Sequence, residues 1–192
     1  MQPYNSTSVT DGGCHESNGE RDGKYETFHE NGQLRESCIY VSGQLHGTYK
    51  SFDENGQLRK ICTYDNGKIY EIINFNNGKR NGEYISYHSN GQPYKIINYV
   101  DDERHGEYKS YYENGQPCVI ANLNNGKRNG EYKSYYSNGQ PYEIINYVDD
   151  VRHGEYKSHH SNGQPFEIIN LNNCKYNGEY KSYYSNGQPY EI

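Results

Sequence analysis

The sequence predicts an all-β fold: an elongated single-layer antiparallel meander of repeated β-hairpins. Three observations carry this. A Gly-x-Tyr segment recurs at a fixed interval, Asn-Gly turn signals separate short aromatic and branched runs, and no stretch has the apolar period of a helix. The glycines that open the tyrosine strands are Gly23, Gly47, Gly82, Gly106, Gly130, Gly154 and Gly178, spaced 24, 35, 24, 24, 24 and 24 residues apart. The odd interval is 24 plus 11, so one unit lacks 13 residues. There the chain runs from Asn66-Gly67-Lys68 straight into Tyr70-Glu71-Ile72-Ile73-Asn74-Phe75, without a Gly-Glu-Tyr-Lys-Ser-Tyr-Tyr strand and its turn. A degenerate half-unit precedes Gly23, since Asn18 to Gly23 mirrors Asn125 to Gly130. The domain reading is an N-terminal arm over 1–13 and a hairpin array over 14–192, with one unit shortened near 67–70.

The unit that begins at Gly130 shows each element in order. Its first run, Glu131 to Tyr136, is aromatic-rich and suits a strand. Asn138-Gly139 follows, and Asn-Gly between two such runs predicts a two-residue type I′ turn with positive φ at both positions. That turn sets Ser137 opposite Gln140, Tyr136 opposite Pro141, Tyr135 opposite Tyr142 and Tyr132 opposite Ile145. The second run, Pro141 to Val148, carries Ile144, Ile145, Tyr147 and Val148, and a proline is tolerated at its start. A second turn, Asn-Asn-Gly-Lys or Asp-Asp-x-Arg, leads to the next unit. Seven hairpins give about fourteen strands. Cross-strand partners share a face. Tyr132, Ser134, Tyr136, Ile145 and Tyr147 then form the expected core face, and Glu131, Lys133, Tyr135, Tyr142, Ile144 and Asn146 form the other. Phe28, Phe52, Tyr87, Tyr111, Tyr135 and Tyr183 recur on that second face, where a bulge would redirect them.

Composition bounds what such a sheet can be. Only 31% of the 192 residues are apolar and there is no tryptophan, but 24 tyrosines supply large packing area with a polar tip. A net charge of −6 disfavours nucleic acid and an anionic membrane as partners. Met1 to Gly13 has no apolar core of a signal peptide, and no stretch is long enough to span a bilayer. The five cysteines are odd in number. Cys14, Cys38 and Cys62 occupy equivalent places two strands apart, too far for a disulfide, and read as small buried thiols. A cytoplasmic, reducing location follows, with the lone sequon Asn5-Ser6-Thr7 not altering it.

No residue set reads as catalytic, cofactor-binding or metal-binding. The turns Asp101-Asp102 and Asp149-Asp150, with His105 and His153 nearby, are two units apart and offer too few oxygens for calcium. His88, His159 and His160 stand where other units have serine or tyrosine. Glu83, Glu107, Glu131, Glu155 and Glu179 form a spaced, solvated ladder rather than paired carboxylates. The tyrosine ladder remains, as packing first and as a surface for stacking ligands second. Tyr87, Tyr111, Tyr135 and Tyr183 form the candidate interaction face. Gln188, Pro189, Tyr190, Glu191 and Ile192 form a candidate strand edge open to strand addition or end-to-end self-association.

The pattern G-x-Y-x-x-Y-x-x-N-G, here Gly106-Glu107-Tyr108-Lys109-Ser110-Tyr111-Tyr112-Glu113-Asn114-Gly115, resembles the MORN repeat (membrane occupation and recognition nexus) in its divergent second variant. The residue bias is similar to that of MORN-type proteins of giant amoeba-infecting viruses. The resemblance implies a non-enzymatic scaffold for protein–protein interaction. Because some bacterial members are labelled antitoxins, it also implies an alternative, an antitoxin-like or host-factor-blocking inhibitor with one protein partner. Glycan binding by the tyrosine ladder is a third reading. No cofactor is expected.

Overall fold

The computed structural model describes residues 15–17 and 20–191; the N-terminal arm, Cys14 and Ile192 lie outside them. Two compact units divide the chain, residues 1–91 and 92–192. The first holds β1 (His15–Ser17), β2 (Glu20–Phe28), β3 (Leu34–Val41), β4 (Gln44–Phe52), β5 (Leu58–Asp65), β6 (Lys68–Asn76) and β7 (Lys79–Tyr87). The second holds β8 (Pro93–Val100), β9 (Glu103–Tyr111), β10 (Pro117–Asn124), β11 (Lys127–Tyr135), β12 (Pro141–Val148), β13 (Val151–His159), β14 (Pro165–Asn172), β15 (Lys175–Tyr183) and β16 (Pro189–Glu191). Within each unit every strand pairs antiparallel with its sequence neighbours, so each is a meander of hairpins in one layer. Among the described residues sixteen strands stand against the fourteen expected. The additional two are β1, from the degenerate half-unit, and β6, the single strand left by the 13-residue loss. Among the described residues no helix is long and apolar enough to cross a membrane.

The turns differ from expectation in an informative way. At Asn138-Gly139 only the glycine is left-handed (φ 84°), so this is not a type I′ turn. Gly139 N–H donates to Tyr136 O (2.9 Å) and Tyr136 N–H to Gln140 O (2.8 Å), which closes a three-residue loop ending in a left-handed glycine. The register shifts at this loop. Tyr132 still faces Ile145, but Tyr135 faces Pro141 rather than Tyr142. The asparagine is selected for its side chain. Asn138 Oδ1 accepts from Gln140 N–H (3.0 Å), and its Nδ2 donates to Ser161 O of the next hairpin (2.7 Å). Asn31, Asn114 and Asn162 make the same bridge to Glu54, Ser137 and Ser185. These four Asn-Gly loops are thereby tied to their neighbours.

Type I′ geometry occurs instead in the second turn of each unit. Asn125-Gly126 has φ 47° and 80°, and Asp149-Asp150 has φ 50° and 68°. Such a turn matches the right-handed twist of the strands it joins. At Asn173-Cys174 the second position is a cysteine at φ 62°. A non-glycine residue there is strained by about 1–2 kcal/mol. Glycine relieves that strain but loses more chain entropy on folding. Cys174→Gly is therefore expected to stabilise the protein by about 0.5–1 kcal/mol, read as a higher urea midpoint at unchanged slope.

The packed face is the one that carries Tyr132, Ser134, Ile145 and Tyr147. Ile145 is fully buried, and Tyr147, Ile169 and Leu171 complete a cluster against which Tyr132 and Tyr156 lean. Tyr132 and Tyr147 meet edge to face with ring centroids 5.7 Å apart. A single layer buries an isoleucine this way because tall aromatic neighbours on the same face shield it. In the first unit Cys38 and Cys62 take the isoleucine place as buried cysteines not joined in a disulfide. Burial lifts the Cys62 thiol above its ordinary range, and burial together with Glu36 lifts the Tyr49 phenol well above its own. The opposite face carries short ion pairs between residues two apart, Glu131–Lys133 (2.6 Å) and Glu155–Lys157 (2.6 Å) among them. These are exposed and worth little.

The shortened unit turns the packed face over. An intact second-to-first junction holds a bulge at its glycine: Leu123 pairs with Arg128 and Ala121 with Tyr132, so two positions on one strand oppose four on the other. That even offset keeps core residues on one side. At β5–β6 no such glycine exists. Tyr64 pairs with Ile69 and Cys62 with Ile72, an odd offset. Ile72 therefore shares the face of Cys62, while Ile73 pairs with Tyr84 and shares the other. Strand β6 is half-buried on both sides from Ile69 to Phe75. Ile85, opposite Ile72, stands where other units place the exposed-face lysines Lys109, Lys133 and Lys157.

Candidate functional site

The loop ends of the second unit carry a row of rings that alternation did not predict. The shift after Ser134 takes Tyr142 off the face of Tyr135 and sets it against Tyr136, ring centroids 5.1 Å apart. The next hairpins repeat this with His160–Phe166 (5.1 Å) and Tyr184–Tyr190 (5.0 Å). The outer ring stays in water: Tyr94 is 41%, Tyr142 48%, Phe166 49% and Tyr190 66% exposed. Cys118 occupies the equivalent place between Tyr94 and Tyr142 and leaves a gap in the row. The inner ring is anchored in the hairpins of Tyr112, Tyr136 and His160, whereas Tyr184 is half exposed. Tyr112 Oη donates to Tyr135 O (2.7 Å) and Tyr136 Oη to His159 O (2.8 Å), while His160 Nε2 lies 3.0 Å from Tyr183 O. His160 thus replaces a tyrosine as a ring that reaches the next hairpin's backbone.

Between two of these pairs lies a depression of about 250 Å³, walled by Tyr136, Tyr142, Tyr156 and Phe166. Ser158 and His159 also line it. Ser158 Oγ and His159 Nδ1 are buried without a hydrogen-bond partner among the described residues. Burial lowers the pKa of His159 below its ordinary 6.5, so the ring is neutral at neutral pH. The unfolded chain binds that proton more readily than the fold does. This contribution to stability is complete above about pH 6.5 and declines as pH falls through the unfolded value toward the lower folded one. His159→Tyr, which restores the residue of Tyr135 and Tyr183, should remove this part of the acid sensitivity, as read by melting temperature between pH 7.5 and 5.

The other sequence candidates fall elsewhere. Tyr87, Tyr111, Tyr135 and Tyr183 are each half-buried near strand ends, outside the exposed ring row. Gln188 and Pro189 are exposed, and Pro189–Glu191 pairs only briefly with β15; Ile192 lies outside the described residues. Asp150 is engaged by Arg128, whose Nε donates to its Oδ1 (2.8 Å), and this contact holds the carboxyl below its usual range. Among the described residues no group of three or more His, Cys, Asp or Glu side chains could hold a metal ion. The aromatic row was missed because a one-residue bulge decides it. Its sequence signal was the recurring ring directly after the proline, as in Pro141-Tyr142 and Pro165-Phe166.

A family model described as a MORN repeat variant matches eight segments, 21–42, 45–66, 64–77, 80–101, 104–125, 128–149, 152–173 and 176–192. The chain belongs to the MORN repeat family. Comparison with curated proteins returned no match. The short third match, 64–77, coincides with the single strand β6 and its flanking turns. In these MORN repeats the first recurring feature of the pattern, Gly-x-Tyr, supplies the bulge glycine and the core ring. The Asn-Gly supplies the loop that stitches one repeat to the next.

Proposed function

We propose that this MORN repeat protein is a non-enzymatic scaffold that binds a protein partner along the aromatic row of its second unit. The observation that carries this is the set of paired rings, Tyr136–Tyr142, His160–Phe166 and Tyr184–Tyr190, with the outer ring of each left exposed. Buttressed rings lose little side-chain entropy on binding, and aromatic residues dominate interface hot spots. The net charge of −6 argues against an anionic lipid surface. The buried cysteines Cys38 and Cys62, not joined in a disulfide, accord with a reducing, cytoplasmic location.

A second reading, glycan binding, is favoured by one observation, the unpartnered Ser158 Oγ and His159 Nδ1 between rings. Affinity capture from cell lysate separates the readings. Several proteins recovered together support a scaffold. One partner in stoichiometric amount supports an inhibitor of antitoxin type. Retention on polysaccharide with no protein recovered would replace both with the glycan reading.

A further inference from the structure

In the second unit the second strands place an isoleucine and, two residues on, a ring or a leucine on the core face: Ile97 and Tyr99, Ile145 and Tyr147, Ile169 and Leu171. In β10 these positions are Ala121 and Leu123. One hairpin has thus lost both an isoleucine's bulk and an aromatic ring from the same face. What remains is a hollow of about 250 Å³ over Val119, Ala121 and Leu123, walled by Tyr108 and Tyr132. Arg104, Arg128 and Asp150 stand at its rim.

The arginines show what is missing. Arg128 lies 4.1 Å over the ring of Tyr147, and Arg21 lies 4.8 Å over Tyr25 and 5.6 Å over Tyr40. Arg152 bonds Tyr147 Oη (3.3 Å) and pairs with Glu143 (3.3 Å). The counterpart of the Arg128–Tyr147 contact is Arg104 with Leu123, where the ring is absent. The counterpart of Arg152 with Tyr147 is Arg104 with Tyr99, its partner across β8 and β9, and the counterpart of Glu143 is Lys95. Arg104 is therefore an exposed guanidinium beside an apolar, ring-sized space, with a second cation where its neighbour has an acid.

We infer that this hollow is a pocket for an aromatic side chain of a protein partner that carries or adjoins a carboxylate. The ring takes the place of the absent tyrosine and stacks under Arg104, and the carboxylate meets the guanidinium. Asp150 already occupies Arg128 and repels a second anion there, which directs the carboxylate to Arg104. This rests on the protein-binding reading for the source of the ring but not for the chemistry of the pocket.

The test titrates the full chain with 4-hydroxyphenylacetate and with tyramine, which has the same ring and the opposite charge. The readout is the NMR shift of the Ala121 and Leu123 methyl groups. Saturable shifts are expected with the anion, with at least tenfold weaker binding of tyramine. Ala121→Ile, which restores the residue of the other repeats, should abolish binding, and the surface change Arg104→Gln should weaken it at least fivefold. No saturable shift, equal affinity for tyramine, or an unchanged titration in Ala121→Ile overturns the pocket. If the probe binds as described but Ala121→Ile captures the protein partner as tightly as the wild type, the partner side chain is overturned as its occupant. Because the titration needs no partner, it stands or falls separately from the aromatic row.

Discussion

Replacing Ile145 with alanine should destabilise the second unit by about 2–5 kcal/mol, the largest stability effect expected of any single truncation in the chain. Ile145 is fully buried, and its neighbours Tyr147, Ile169, Leu171, Tyr132 and Tyr156 come from four adjacent strands of one layer. A sheet with no second layer has little to collapse into the void, so the cavity term adds to the transfer term. Tyr132→Ala should cost less than Ile145→Ala because its ring already reaches solvent. Glu131→Ala, an exposed change, should stay within about 0.5 kcal/mol. Stability in a repeat array is a sum of local and nearest-neighbour terms. The loss should therefore appear as faster amide exchange in β11 to β14 before any change in β2 to β5. Equal midpoints for Ile145→Ala and Glu131→Ala would refute the face assignment.

The double change Tyr142→Ser, Phe166→Ser should weaken partner binding at least about 30-fold, the effect of losing hot-spot residues worth about 2 kcal/mol or more together. Both rings are about half exposed, so what they hold in the free protein is limited to an edge-on contact with Tyr136 or His160. Such a contact contributes about 0.5–1.5 kcal/mol, and folding should survive. Tyr135→Ser should leave binding within a factor of a few, because Tyr135 lies half-buried outside the ring row. If Tyr135→Ser abolishes binding while the double variant does not, the tyrosines at 87, 111, 135 and 183 are the interaction face and the row is packing alone.

The period, the hairpin meander and the core face were all legible in the sequence. The reason is that each rests on a recurring pattern: Gly-x-Tyr, most often at 24 residues, and an apolar residue opposite the tyrosine. What escaped depends on single-residue offsets. Asn138-Gly139 reads as a type I′ turn from its dipeptide. The asparagine, however, is bridging two hairpins through its amide, a tertiary contact that no local preference encodes. The resulting bulge moved Tyr142 to the side of Tyr136 and created the exposed ring row. The turned-over face at β6 left one trace, Ile85 in place of a lysine. It makes sense only once Ile72 is seen opposite it. The hollow over Ala121 was legible as an alanine where the other second strands of the second unit place isoleucine, but its meaning required the place of Arg104 above it.

Photo-crosslinking separates binding along the aromatic row of the second unit from binding on the opposite face of its sheet. A benzophenone side chain is placed at position 166, in the row, or at position 146, on the exposed opposite face beside Ile145 and Tyr147. After irradiation with the captured partner, a covalent adduct is expected from position 166 and none from 146. An adduct from 146 alone, or equal adducts from both, would contradict binding along the row.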